Sequence, residues 1–222
     1  MSIKDLIPPI LAKQVNLFKV RNRAKPNINK QDLDLYWDEA YAEDLENWGK
    51  NNVWNEVQML VAGCNGKILD IACGTGPTIH ILQKFSSLQV HGFDISEVLI
   101  NRALKKGISS DNLRVLDATK TNYLDGEFDY SFSIGSLEHF TEEGISQFLK
   151  ESARYTKKAS FHMIPIVKGE NNEGWIKTTQ SYHNNTLEWW LPKFKEEFRE
   201  VIPVLSKWDD VISHGYWFIC YK

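Results

Sequence analysis

Between Lys67 and Ile166 the chain repeats one texture: short apolar runs separated by stretches of helix-like composition. The runs are Lys67 to Ala72, Val90 to Ile95, Leu113 to Leu116, Phe128 to Ile134 and Ala159 to Ile166, and the helical stretches are residues 77–86, 96–107 and 141–156. Runs this short and this uniformly apolar, ending in Gly, Asp or Ser, suit strands buried on both faces. Strands that alternate with helices form parallel crossovers with helices on both sides of the sheet. The alternation therefore predicts a doubly wound α/β domain. A helix from about Thr186 to Phe198, a strand near Val201 to Leu205 and a last strand from Gly215 to Tyr221 complete it. Upstream, aromatic and apolar residues at helical spacing from Gln31 to Trp48 and from Val53 to Val61 predict two helices before Gly63. Residues 1–60 read as an N-terminal helical arm, and residues 61–222 as the main domain.

The strongest chemical signal is Lys67-Ile-Leu-Asp-Ile-Ala-Cys-Gly-Thr-Gly76, a strand ending in a carboxylate and running into a Gly-x-Gly turn before a helix. Gly74 and Gly76 permit backbone conformations closed to other residues and let a ligand approach the main chain. The helix that follows offers free N–H groups at the carboxyl edge of the sheet. A dinucleotide-binding turn would carry a third glycine where Ile79 stands, and a pyrophosphate beside Asp70 would be repelled. A cofactor bearing an ammonium or sulfonium would be attracted instead. A nucleotide-linked oxidoreductase is thereby disfavoured.

Asp70 to Gly76 resembles the first motif of the class I S-adenosylmethionine (SAM) dependent methyltransferases, and the likeness continues in order along the chain. That family implies a Rossmann-like, seven-stranded, mostly parallel sheet with an antiparallel C-terminal strand. It also implies SAM as cofactor and S-adenosylhomocysteine as product. Val90-His-Gly-Phe-Asp-Ile-Ser96 is similar to the family's second strand, where Asp94 would accept both ribose hydroxyls and Ile95 would pack on the adenine. Leu113-Arg-Val-Leu-Asp-Ala118 is similar to the third, where Asp117 would accept the adenine amine and Ala118 would offer its backbone N–H. Phe128 to Phe140 resembles the fourth strand and the loop facing the methyl, which brings in Ile134. The cofactor-binding set is then Asp70, Ala72, Gly74, Gly76, Asp94, Ile95, Asp117, Ala118 and Ile134, with Tyr41 of the arm, and also Trp48, as candidate lid residues. Cys73 reads as packing.

The acceptor is less constrained. With Lys+Arg 26 against Asp+Glu 29 the net charge is -3, which gives no electrostatic reason to expect a nucleic acid. The fourth motif also lacks the Asn/Asp-Pro-Pro-Tyr/Phe pattern of base-directed amino methyltransferases. No carboxylate cluster suggests a metal, and Cys64, Cys73 and Cys220 lack metal-ligand spacing and read as cytosolic thiols. No apolar run approaches the ~18 residues of a membrane span, so a soluble cytoplasmic protein with a small-molecule substrate is expected. A polar, aromatic insertion at about 167–185 follows the fifth strand and should hold that substrate, with Trp175, Tyr182, His183 and Asn184 as contacts. Such a mixture suits a sugar, whose hydroxyls want polar partners and whose C–H faces pack on indole. Gln180 to Asn185, Trp189-Trp190 and Gly215 to Tyr221 resemble small methyltransferases of bacterial surface-polysaccharide synthesis. A hydroxyl acceptor benefits from a general base, for which His139 and His183 are the candidates. An amine acceptor, a protein substrate and a non-catalytic SAM-binding protein are the alternatives.

Overall fold

The structure is a computed structural model that describes residues 25–26, 31, 33, 42–43, 45–46, 49–50, 52–177 and 180–222. Strand β2 (Gly66–Ile71) anchors the sheet, because Ile68 and its neighbour Leu69 are both fully buried yet belong to different hydrophobic clusters. Successive side chains point to opposite faces of a strand, so a doubly apolar run of this kind requires cover on both sides. Helices α1 (Val53–Val61), α2 (Pro77–Leu82) and α3 (Glu97–Lys105) supply Val57, Ile79 and Ile100 to the cluster of Ile68. Helices α4 (Glu142–Tyr155) and α5 (Leu187–Lys195) supply Phe148 and Phe194 to that of Leu69.

The other strands of this sheet are β3 (Leu88–Asp94), β4 (Leu113–Val115), β5 (Phe128–Ile134), β6 (Thr156–Val167), β9 (Glu200–Asp209) and β10 (Ser213–Tyr221). The order across it is β4-β3-β2-β5-β6-β10-β9. The pairs β4/β3, β3/β2, β2/β5 and β5/β6 are parallel, whereas β10 runs antiparallel to both β6 and β9. The doubly wound, seven-stranded, mostly parallel expectation holds. The chain reverses its direction of travel across the sheet between β2 and β5, and at such a switch point a crevice opens at the carboxyl ends of the strands.

Local chemistry sets the helix starts. Gly76 caps α2 in the left-handed region at φ 73 with Pro77 at the first position, where a missing N–H costs nothing. Ser96 accepts from Leu99 N at 3.2 Å to start α3, and Thr141 accepts from Gly144 N at 3.2 Å to start α4. The insertion departs from its reading as a polar loop. Trp175–Lys177 (β7) and Ser181–His183 (β8) form an antiparallel hairpin, and Lys25–Pro26 (β1) pairs with β7 to complete a second, three-stranded sheet. Most of the arm predicted for residues 1–60, with Tyr41, Trp48 and the first of its two helices, lies outside the described residues. No described helix is long and apolar enough to cross a membrane.

Candidate active site

The crevice at the carboxyl ends of β2, β3 and β5 is a cavity whose walls come from separate segments of the chain. Asp70, Ala72 and Gly74 leave β2; Asp94 and Ile95 leave β3; Asp117 and Ala118 follow β4; Ile134 and His139 follow β5. Parallel strands all end at the same edge, so residues far apart in sequence converge there. Nine of the ten residues of the sequence-derived cofactor set are described, and eight of those nine line the cavity.

Gly76 is the exception. It is absent from the cavity wall, and a Cβ on it would overlap the Ile108 methyl and approach Ala103, both in the core beneath α2 and α3. Its left-handed φ serves the helix start. Gly74, at φ 56, is the glycine that leaves open space: the nearest atom to a Cβ there is Leu45 Cδ1 at 3.8 Å, and Leu45 also lines the cavity. Glu46, beside Leu45, is held by Lys106 at 2.6 Å and Arg102 at 3.1 Å, which lower its carboxyl below the usual range. Between strand and turn, Ala72 takes φ 56, a left-handed value uncommon for a residue with a Cβ.

Three acids face the cavity and differ in environment. Asp70 is 3% exposed and accepts a hydrogen bond from Thr78 Oγ1; burial, opposed in part by that bond, pushes its carboxyl up to about 8. Asp94 is 5% exposed, and burial raises it to about 6 against opposing bonds from the backbone N–H groups of Ser96, Gly74 and Ile95. Gly74 N donates to Oδ2 and Ser96 N to Oδ1, each at 2.9 Å. A carboxylate offers about four acceptor sites, so Asp94 keeps acceptor capacity beyond these bonds. Asp117 is exposed, and its Oδ1 is oriented by Thr119 N at 2.8 Å and Thr119 Oγ1 at 2.7 Å.

His139 is in the cavity wall, and its Nδ1 lies 2.8 Å from the carbonyl oxygen of Ser181. His183 is elsewhere: its ring packs among Trp175 at 4.6 Å, Trp189 at 4.8 Å and Trp190 at 6.3 Å, and burial pushes its pKa down to about 4. Neither His183 nor Trp175, Tyr182 or Asn184 is part of the cavity wall. Tyr182 packs on Ile176 and Ile212. Asn184 gives its Nδ2 hydrogen to Glu173 Oε2 at 2.8 Å and accepts from Ser213 Oγ at 2.9 Å. The hairpin meets the cavity wall at His139 through the Ser181 carbonyl and the edge of the Tyr182 ring, while Trp175 Nε1 and both ring nitrogens of His183 have no hydrogen-bond partner among the described residues. Sequence reading missed Trp54, Thr78, Ser136 and Phe140 in the wall. Thr78 stands two residues into the helix after the glycine turn, and Ser136 and Phe140 lie within the segment that resembles the methyl-facing loop, so only Trp54 stands apart from every motif. Among the described residues no group of three or more His, Cys, Asp or Glu could hold a metal ion.

Residues 68–159 match the family model described as a methyltransferase domain. The chain is 28% identical over 155 residues to the ubiquinone/menaquinone biosynthesis C-methyltransferase UbiE of Rickettsia typhi, a match covering 65% of this chain and 61% of that protein. The chain thus spans about three fifths of that relative's length. The PH0226 protein of Pyrococcus horikoshii has a similar solved structure, with TM-score 0.61 and 21% identity over 84% of this chain and 92% of that one. A phosphoethanolamine N-methyltransferase 2 of Haemonchus contortus, solved with phosphomonomethylethanolamine and S-adenosylhomocysteine, gives TM-score 0.60 and 17% identity over 76% of this chain and 52% of that one.

Proposed function

We propose that this chain is a class I SAM-dependent methyltransferase that carries a methyl group to a small-molecule acceptor. The observation that carries the reading is the pair of buried acids, Asp70 and Asp94, on adjacent strands beside the open backbone of Gly74. Burying a carboxylate is costly unless cations or hydrogen-bond donors meet it, and SAM brings both. Asp70 would face its positive charge, and Asp94 would accept ribose hydroxyls with the acceptor sites that its backbone bonds leave open. Ile95 would pack on the adenine, with Asp117 and the Ala118 N–H reading its edge. When bound, that cofactor supplies a methyl carbon whose bond to sulfur breaks with the electron pair left on sulfur, so the acceptor gains carbon and a hydroxyl acceptor gives up its proton. Ile134 and Phe140 would keep water from the reacting atoms, and His139 would receive the proton.

The acceptor in this reading is a hydroxyl of a sugar, nucleotide sugar or phosphorylated precursor. Two things support it: a histidine in the cavity wall, and the likeness of residues 180–185 and 215–221 to surface-polysaccharide methyltransferases. The aromatic surface of the insertion does not, because those rings pack on one another. A small amine is the second reading. It is favoured by the charge of the described wall, where the acids Asp70, Asp94 and Asp117 stand without a lysine or arginine.

Calorimetry with SAM and turnover of methyl-labelled SAM against sugars, nucleotide sugars, phosphorylated sugars and small amines test both levels. Binding is expected in the wild type. Asp94→Asn is expected to weaken it by ~1.5 to 3 kcal/mol, the scale of hydrogen bonds to a charged group. A folded Asp94→Asn protein with unchanged affinity would overturn the cofactor assignment, and turnover of amines alone would replace the hydroxyl with the second reading.

A further inference from the structure

Glu138 sits in the turn after β5, 4% exposed and adjacent in sequence to His139. Its Oε1 stands 3.7 Å from Nε2 of His139, while Oε2 meets no hydrogen-bond donor among the described residues. Burial, opposed in part by its own backbone N–H, pushes this carboxyl up to about 8. On the far side of the imidazole, Nδ1 lies 2.8 Å from the Ser181 carbonyl. A carbonyl oxygen only accepts, so the partner assigns the hydrogen to Nδ1 and leaves the lone pair of the neutral ring on Nε2.

We propose that Glu138 is the positioning and charge partner of His139: the Ser181 carbonyl holds the tautomer, the Glu138 carboxylate faces the nitrogen that takes the proton, and the two side chains together hold the proton released by the acceptor. This rests on the methyltransferase reading with a hydroxyl acceptor. The proton leaves the acceptor oxygen, arrives at Nε2, and the imidazolium so formed is stabilised by the adjacent carboxylate, with no further reactant needed. Tyr182 and His183 of β8 are the other titratable groups around the pair, and Glu142 and Lys193 act on His183. Burial raises the Tyr182 phenol and depresses the His183 imidazole to about 4. Both therefore stay neutral between about pH 5 and 9, the range in which the raised Glu138 carboxyl changes charge.

The test is an NMR titration of the full chain with nitrogen-15 histidine side chains, the His139 signal being identified by its loss in His139→Gln. The neutral ring is expected to carry its hydrogen on Nδ1. The imidazole is expected to share two titration steps with the carboxyl 3.7 Å away, with the upper step lost in Glu138→Gln and restored in Glu138→Asp. If Glu138→Gln does not fold, the wild-type carboxyl carbon of Glu138 is followed instead, and it should report the same coupled midpoints as His139. A hydrogen on Nε2, an imidazole titration unchanged in Glu138→Gln, or carboxyl and imidazole titrating independently would each overturn the pair. On an acceptor that turns over, Glu138→Gln should lower kcat by about tenfold or more with KM nearly unchanged; equal kcat would overturn its role in turnover. Absence of SAM binding would overturn the functional reading alone, since the titration needs no cofactor.

Discussion

Gly74 and Gly76 are separated by one residue and perform different tasks. Both have left-handed φ, so any side chain costs about 1 kcal/mol in backbone strain at either position. Beyond that common cost, a Cβ on Gly76 intrudes on Ile108 in the core, and a Cβ on Gly74 enters the cavity. Gly76→Ala is therefore expected to lower the melting temperature while the folded protein keeps its SAM affinity within about threefold. Gly74→Ala should lose affinity by about tenfold or more with a smaller stability change. Paired melting and calorimetry distinguish them, and equal losses of affinity would contradict the assignment. Asp70 makes a second contrast, between stability and binding. Its folded pKa, about 8, lies above the ~3.9 of an unfolded aspartate, so its contribution to stability is complete below pH ~4 and is lost as pH rises toward 8. Asp70→Asn should then bind SAM more weakly yet unfold at higher denaturant at pH 7, by on the order of 2 kcal/mol, with the gain vanishing near pH 4. Denaturant curves at the two pH values check the sign.

At the scale of elements, α1 is fastened to the far end of the sheet by one acid. Glu56 accepts from Ser206 Oγ at 2.6 Å and Lys207 N at 2.5 Å of β9, and from Trp217 Nε1 at 2.8 Å of β10. Trp54, two residues earlier on the same helix, stands in the cavity wall. The clamp thus ties an edge hairpin to the cofactor cavity, although the two lie about 150 residues apart in the chain. Glu56→Ala leaves three donors without their acceptor and should cost about 2 kcal/mol of stability. SAM affinity should fall with it as Trp54 loses its mooring. Calorimetry at a temperature where the variant remains folded is the measurement, and an unchanged affinity would confine Glu56 to stability. The hairpin of the insertion is likewise tied to another element, since the ring of His183 packs among Trp175 of β7 and Trp189 and Trp190 of α5.

Across the whole molecule, pH acts on stability through buried groups of opposite sign. His162 is fully buried between α4 and the sheet, where Ser133 Oγ meets its Nδ1 and Ser160 Oγ its Nε2, each at 2.8 Å. Burial depresses its pKa to about 3. An unfolded imidazole titrates near ~6.5, so the stability due to neutral His162 is complete above that value and is lost as pH falls from it toward 3. Asp70 and Glu138, both raised, act oppositely between about pH 4 and 8. Urea curves should therefore show that His162→Gln narrows the loss of stability between pH 7 and pH 5 by about 2 kcal/mol, whatever its effect at pH 7. An unaltered difference would mean that His162 is not what senses the acid. Much of this protein was legible without its structure, and what was legible was local. The buried strands, their parallel order, the glycine turn and the acids at strand ends follow from runs of residues adjacent in sequence. Because every parallel strand ends at the same edge, locating those acids in the chain also located them in space. What a polar or aromatic residue touches depends instead on elements that pack on it from elsewhere. Only the tertiary structure could set β1 beside β7, place β10 between β6 and β9, turn Gly76 into the core, and separate His139 in the cavity from His183 among tryptophans. The same residue types serve both roles, and burial against distant neighbours decides which.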